Sequence, residues 1–158
     1  MTYQFYKEQF LETSLKEAWR FFSSPVNLSK ITPPELGFLA HSALDGSEIY
    51  EGMEIDYTVK PFLRMPLRWR TRISSVKQFS HFTDKQLIGP YALWEHTHTF
   101  EEKNEGVLMK DEIKYKLPFG LLGKLMHRIL VKRKIQQIFG YRQQVLHKLF
   151  NQNEISDF

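Results

Sequence analysis

A chain of 158 residues with 42% hydrophobic and 25% charged side chains has the length and balance of one soluble globular domain with a core of its own. The lack of cysteine excludes disulfides and thiolate chemistry, and no apolar run approaches the ~20 residues of a membrane span. A net charge of +4 is too small to argue by itself for nucleic acid, and no signal-peptide pattern opens the chain, so a cytoplasmic protein is expected.

Tyr3 to Glu12 reads as an aromatic-rich strand. Thr13 or Ser14 can cap a helix over Leu15 to Phe22, with Glu17 three residues after Ser14 as a capping box, and Leu15, Ala18, Trp19 and Phe22 recur at helical spacing. A second short helix, Val26 to Ile31, must end before Pro33 and Pro34. Leu36 to Ser42 is expected as a strand and Asp45-Gly46 as a turn. Met53, Ile55, Tyr57 and Val59 alternate with Glu54, Asp56, Thr58 and Lys60, the pattern of a strand with one wet face. After a loop from Pro61 to Pro66, Leu67, Trp69, Thr71 and Ile73 alternate with Arg68, Arg70 and Arg72, and Phe82 to Ile88 forms the next strand.

Gly89-Pro90 is a turn signal, and the alternation that follows puts Trp94, His96, His98 and Phe100 on one face. The aromatic ends turn that face inward, so two histidines are expected in an apolar setting where they need partners. Asn104-Glu105-Gly106 is a hairpin turn, and Met109, Asp111, Ile113, Tyr115 and Leu117 face away from a row of solvent-side lysines. With the turn centred on Asn104-Glu105, Phe100 faces Met109, His98 faces Asp111, His96 faces Ile113 and Trp94 faces Tyr115. That register predicts a buried His98–Asp111 contact.

Beyond Pro118-Phe119-Gly120 the period becomes helical. Leu122, Leu125, Met126, Ile129, Ile135, Ile138, Phe139, Val145, Leu146 and Leu149 trace one apolar stripe from Leu121 to about Phe150, with a bend expected at Gly140. Residues 1–150 are therefore expected to form a single domain and residues 151–158 a polar, frayed tail. The fold class is α+β. A curved antiparallel β-sheet must grip the long C-terminal helix to bury both apolar faces, with two short helices between the first and second strands.

This order resembles the START-like or SRPBCC superfamily, the helix-grip fold of birch-pollen-allergen-type proteins. The residues that carry the resemblance are Asn27-Leu28 with Ile31-Thr32-Pro33, Gly52-Met53-Glu54-Ile55, Gly89-Pro90-Tyr91 with Trp94-x-His96-x-His98-x-Phe100, Asp111 with Tyr115 and Pro118-Phe119-Gly120, and Ile138-Phe139-Gly140-Tyr141-Arg142. The pattern looks like the bacterial cell-division-inhibitor-like or polyketide-cyclase-like branch. The superfamily includes lipid carriers, hormone receptors and cyclases, so the resemblance implies a fold and a cavity without one shared set of reacting groups.

Tyr57, Trp69, Trp94, Phe100, Met109 and Tyr115 supply large surfaces for the wall of a cavity. Asp84, Gln86, His96, His98, Asp111 and Arg142 are the groups expected to fix a polar part of a ligand. Three readings of the histidines stand open: a structural network, recognition of a ligand head, or chemistry, with His98–Asp111 as an acid/base pair or with both histidines and Asp111 on zinc. No G-x-S-x-G or H-E-x-x-H motif is present, and neither a cofactor nor a resident metal is expected.

The expected function is binding of a hydrophobic or amphipathic small molecule, lipid-like or polyketide-like, between sheet and helix. The alternatives are a cyclase, dehydratase or hydrolase, and a protein-interaction module with a basic face. That face comprises Arg64, Arg68, Arg70, Arg72, Arg128, Lys132, Arg133 and Lys134. It also suits transient contact with an anionic membrane. No nucleic-acid-binding signature accompanies it, and the oligomeric state stays open.

Overall fold

The computed structural model describes residues 1–43, 45–61 and 65–151. Arg64, the tail from 152 to 158, and the side chains of Leu122 and Arg128, all singled out above, lie outside the described residues. The strands are β1 (Tyr3–Leu11), β2 (Leu39–Ala40), β3 (Glu54–Val59), β4 (Leu67–Lys77), β5 (His81–Ile88), β6 (Leu93–Lys103) and β7 (Gly106–Lys116). They form one antiparallel sheet in the order β1-β7-β6-β5-β4-β3-β2. Each strand from β3 to β7 pairs with the next, as short connections favour, while β1 reaches across the sequence to the free edge of β7.

The β6–β7 hairpin sets the geometry of everything below. Asn104 and Glu105 take φ of 47° and 62°, the left-handed pair of a two-residue turn whose twist matches that of the strands. The register is then Lys103 opposite Gly106 and His98 opposite Asp111, as the sequence predicts. Gly106 is required for a different reason: a Cβ there would stand 2.6 Å from the Leu11 carbonyl oxygen, so β1 packs directly on its missing side chain.

Helix α1 spans Leu15–Phe22, and the Ser14 side chain accepts a hydrogen bond from the Glu17 backbone N–H at 3.2 Å. A 3-10 helix, Pro25–Ile31, replaces the expected second α-helix. A further 3-10 turn, Pro34–Leu36, takes up the start of the expected strand Leu36 to Ser42. Gly37 ends that turn in the left-handed region, with φ of 51°, which leaves only Leu39–Ala40 to pair as β2.

The C-terminal helix is broken, though not at Gly140. Helix α2 (Gly120–Met126) leads into a π-helical turn, His127–Val131, and then α3 (Lys132–Asn151), which runs through Gly140. A π turn inserts extra residues into the helical repeat, and each one rotates the following face by about 100°. The stripe drawn from Leu125 to Leu149 therefore does not share one face. Ile135, Phe139 and Leu146 are buried, whereas Leu125, Met126 and Ile129 are exposed.

Two apolar clusters flank the inner face of the sheet. Leu11, Trp19, Phe82, Phe100, Met109 and Leu146 belong to the first, and Ile113, Tyr115, Val131, Ile135 and Phe139 form the second. Trp19 meets Phe82 and Phe100 edge-on at 6.0 and 5.7 Å between ring centroids. No described helix is long and apolar enough to cross a membrane. Because Leu146 is the α3 side chain held in the first cluster, Leu146→Ala is expected to cost about 2–5 kcal/mol, read from urea unfolding. A cost under about 1 kcal/mol would show that α3 is not gripped at that point.

Candidate functional site

Between the clusters lies a cavity of about 520 Å³. Trp69 and Tyr57 of β4 and β3 supply one wall, Tyr91 and Trp94 another, and Ile135, Ile138 and Phe139 of α3 a third. Trp69 meets Trp94 edge-on at 5.4 Å, and Tyr57 stacks on Trp69 at 6.0 Å, which fixes the aromatic wall. Asp84, His96, His98 and Arg142 are the charged or imidazole groups of the wall among those expected, and Lys134 lines it as well.

The sheet brings these groups together through register. Asp84 on β5 stands opposite His96 on β6, and His98 on β6 stands opposite Asp111 on β7. All four point to the inner face, the two histidines and Asp111 being buried. His96 Nε2 forms a 2.7 Å hydrogen bond with Asp111 Oδ1. His98 Nδ1 lies 3.1 Å from the same oxygen but off the line of a good hydrogen bond. The shorter contact is thus diagonal, His96 to Asp111, rather than the directly opposed His98–Asp111 pair. Diagonal neighbours on an antiparallel face are within reach of long side chains, so the signal was present in the register.

Arg142 reaches this cluster from α3. Its Nη1 lies 3.9 Å from Asp111 Oδ1, and its guanidinium sits 4.6 Å over the Phe139 ring. It is buried, and its Nε and Nη1 make no hydrogen bond among the described residues.

Burial and mutual charge set the protonation states. Burial works against ionisation of Asp111, but its hydrogen bond with His96 and the close approach of His98 hold its carboxyl well below the usual range. Burial, then the neighbouring His98, lowers the pKa of His96. Burial also acts to lower His98, but the carboxylates of Asp111 and Asp84 outweigh it and the net shift is upward. Desolvation pulls Arg142 below the ordinary guanidinium value.

Five expected site residues stand elsewhere. Gln86 is engaged with the Tyr91 backbone, donating from Nε2 to the carbonyl at 2.7 Å, which braces the Gly89-Pro90 turn. Phe100 and Met109 pack in the first apolar cluster around Trp19, because the hairpin carries that end of the face past the cavity. Tyr115 packs in the second cluster, 5.6 Å from Tyr3. Asp111 does not line the cavity and acts from behind the histidines. Conversely, Phe82, Tyr91 and Ile135, and Phe21, Leu28 and Ile31 from the N-terminal helices, line it without having been expected there. Their apolar periodicity reads as ordinary core, and nothing in sequence separates a cavity wall from a filled core.

No family model and no curated protein matches the chain in sequence. Solved structures do match in three dimensions. TTHA0849 from Thermus thermophilus superposes with a TM-score of 0.65 at 14% identity, covering 92% of this chain and 95% of that one. Norcoclaurine synthase from Thalictrum flavum gives 0.64 at 12%, covering 92% and 94%. Ara h 8.0201 gives 0.60 at 15%, covering 94% and 99%. The chain has the helix-grip fold, a curved antiparallel sheet around a long C-terminal helix.

In this helix-grip chain the polar cluster sits where sheet and helix meet, so its loss should register in the grip. Asp111→Ala would strip two buried imidazoles and a buried guanidinium of their shared anion. A destabilisation of about 3–5 kcal/mol is expected from chemical denaturation. A loss below about 1 kcal/mol would show that the cluster does not depend on that carboxylate.

Proposed function

We propose that the protein binds an amphipathic small molecule in the cavity between sheet and α3, apolar along most of its length and with one acceptor-rich or anionic head. The observation that carries this reading is the cavity of about 520 Å³ with Arg142 on its wall, buried and with two nitrogens that make no hydrogen bond among the described residues. A buried guanidinium with unmatched donors favours a carboxylate-like or phosphate-like partner. The aromatic and aliphatic walls favour a hydrocarbon or ring system beside it. The similar structures named above support the fold on which the reading rests.

Native mass spectrometry of freshly purified protein, followed by denaturing extraction, tests the proposal. A stoichiometric amphipathic passenger is expected, and Ile138→Trp, which fills the cavity wall, is expected to abolish it while leaving the melting temperature within a few degrees. Recovery of the same passenger at full stoichiometry from Ile138→Trp would place it elsewhere.

A second reading draws on the His96–Asp111 pair at 2.7 Å beside the same cavity, a geometry suited to proton transfer. It requires the passenger to change chemically on the protein, which time-resolved extraction would reveal.

Access to the cavity passes an apolar rim. Phe119 and Met126 line the cavity and are themselves exposed, next to Leu121 at 81% and Ile129 at 56% exposure. Lys132 and Arg133 follow on the exposed surface of α3. This combination suits transient contact with an anionic bilayer from which a hydrophobic cargo enters. The arginine row of β4 contributes little to such contact. Arg70 and Arg68 pair with Asp56 at 2.8 and 3.3 Å, and Arg72 pairs with Glu54. In sedimentation with vesicles, binding to phosphatidylglycerol-containing membranes is expected to fall at least tenfold in Leu121→Asp with Ile129→Asp. Unchanged binding would remove the rim from the route.

A further inference from the structure

The two histidines are turned in a way that hydrogen bonding alone does not account for. Asp111 uses one oxygen for both rings, at 2.7 Å from His96 Nε2 and 3.1 Å from His98 Nδ1. Each ring is thereby held with its other nitrogen directed toward Asp84. His96 Nδ1 lies 3.8 Å and His98 Nε2 lies 3.6 Å from Asp84 Oδ2. These separations are too long for hydrogen bonds, which for a charged pair would close to about 2.7–2.9 Å. They are close to what a shared ion requires. Tetrahedral zinc with ligand distances near 2.1 Å sets neighbouring donor atoms about 3.4 Å apart.

We propose that Asp84, His96 and His98 are the protein ligands of a divalent transition-metal ion such as zinc, with Asp111 as the carboxylate that orients both imidazoles. One donor atom from each ligand residue lies within 4.8 Å of the others, so shifts of a few tenths of an ångström to about one ångström complete the site. The backing is chemically apt. A metal-bound imidazole is ordinarily fixed by a carboxylate on its remaining nitrogen, and here a single buried carboxylate serves two rings. Two histidines and one carboxylate leave a coordination position facing the cavity, which all three ligands line. Arg142 stands on the same wall. Metal and guanidinium together would present two positive groups to one anionic head. The metal site itself stands without the ligand-binding reading, since it rests on β5, β6 and β7 alone.

Sequence spacing pointed to a different set, the His-x-His pair with Asp111. The structure reverses the two carboxylates. Asp111 is behind the rings and Asp84, from the neighbouring strand, is in front of them.

The test is titration of chelator-treated full-length protein with Zn2+ by calorimetry, and with Co2+ by visible absorption. One ion per chain and the intensified d–d bands of a four-coordinate Co2+ are expected. Asp84→Asn and His98→Gln should each weaken Zn2+ binding at least tenfold, and Asp111→Asn by about 10–100-fold. His41→Ala and His147→Ala, at exposed positions, should change nothing. The Asp84 carboxylate makes no ion pair closer than 3.6 Å among the described residues, so Asp84→Asn should keep the fold, verified by circular dichroism. Lack of stoichiometric binding by the unmodified protein overturns the proposal, as does binding that Asp84→Asn and His98→Gln leave intact. Either result is separable from failure of the amphipathic-ligand reading, because the titration uses the metal alone.

Discussion

A single carboxylate oxygen under two closely packed, mutually tilted imidazoles is the constraint to which the rest of the structure answers. The rings of His96 and His98 lie 3.8 Å apart between centroids, and Phe82 stacks on His98 at 4.3 Å. Without Asp111 the pair would be two polar rings on an apolar sheet face. With it, both are oriented and their outer nitrogens are aimed at one point. Burial makes this arrangement costly to disturb: in a low-dielectric setting a polar group stripped of its partner is penalised heavily. Arg142 extends the same logic to α3, so helix and sheet are joined by charge at the place where hydrocarbon packing gives way to a cavity.

The division of labour along the inner face follows from strand register. Toward one end of the β6–β7 hairpin the inward residues, Phe100 and Met109, meet α1 and close the core. Toward the other, Ile113 meets Ile135 and Phe139 of α3. The polar residues fall in the middle, where neither helix covers the sheet completely. The outer face is handled by cross-strand pairing. Glu54 opposes Arg72 and Asp56 opposes Arg70, so a row that reads as strongly basic in sequence is largely self-neutralised.

Most of the fold was legible because alternation is regular in β3, β6, β7 and β4 as far as Ile73, and because Asn104-Glu105-Gly106 pins the register of the central hairpin. The Ser14–Glu17 cap marked α1 to the residue. Three features were not legible. The π turn at His127–Val131 has no residue signature, and it dissolved a stripe that looked continuous. The split between Asp84 and Asp111 depends on which side of the histidine plane each strand supplies, and register places strands opposite one another without saying how rings rotate. Tyr91 and Phe82 were invisible as cavity wall for a related reason: apolar periodicity reports burial and is silent on whether the buried space is filled.

The hairpin also has a consequence for the order in which the native state is assembled. His96 and Asp111 are separated by only 15 positions, so the loop that brings them together is short and its closure entropy small. Arg142 arrives with α3, and β1 joins β7 only when Tyr3 meets Tyr115 across nearly the length of the sheet-forming chain. Contacts of low sequence separation form first where topology governs rate. The imidazole–carboxylate contact is therefore encoded within one hairpin, while Asp84 from β5 and Arg142 from α3 complete the pocket's polar wall from outside it.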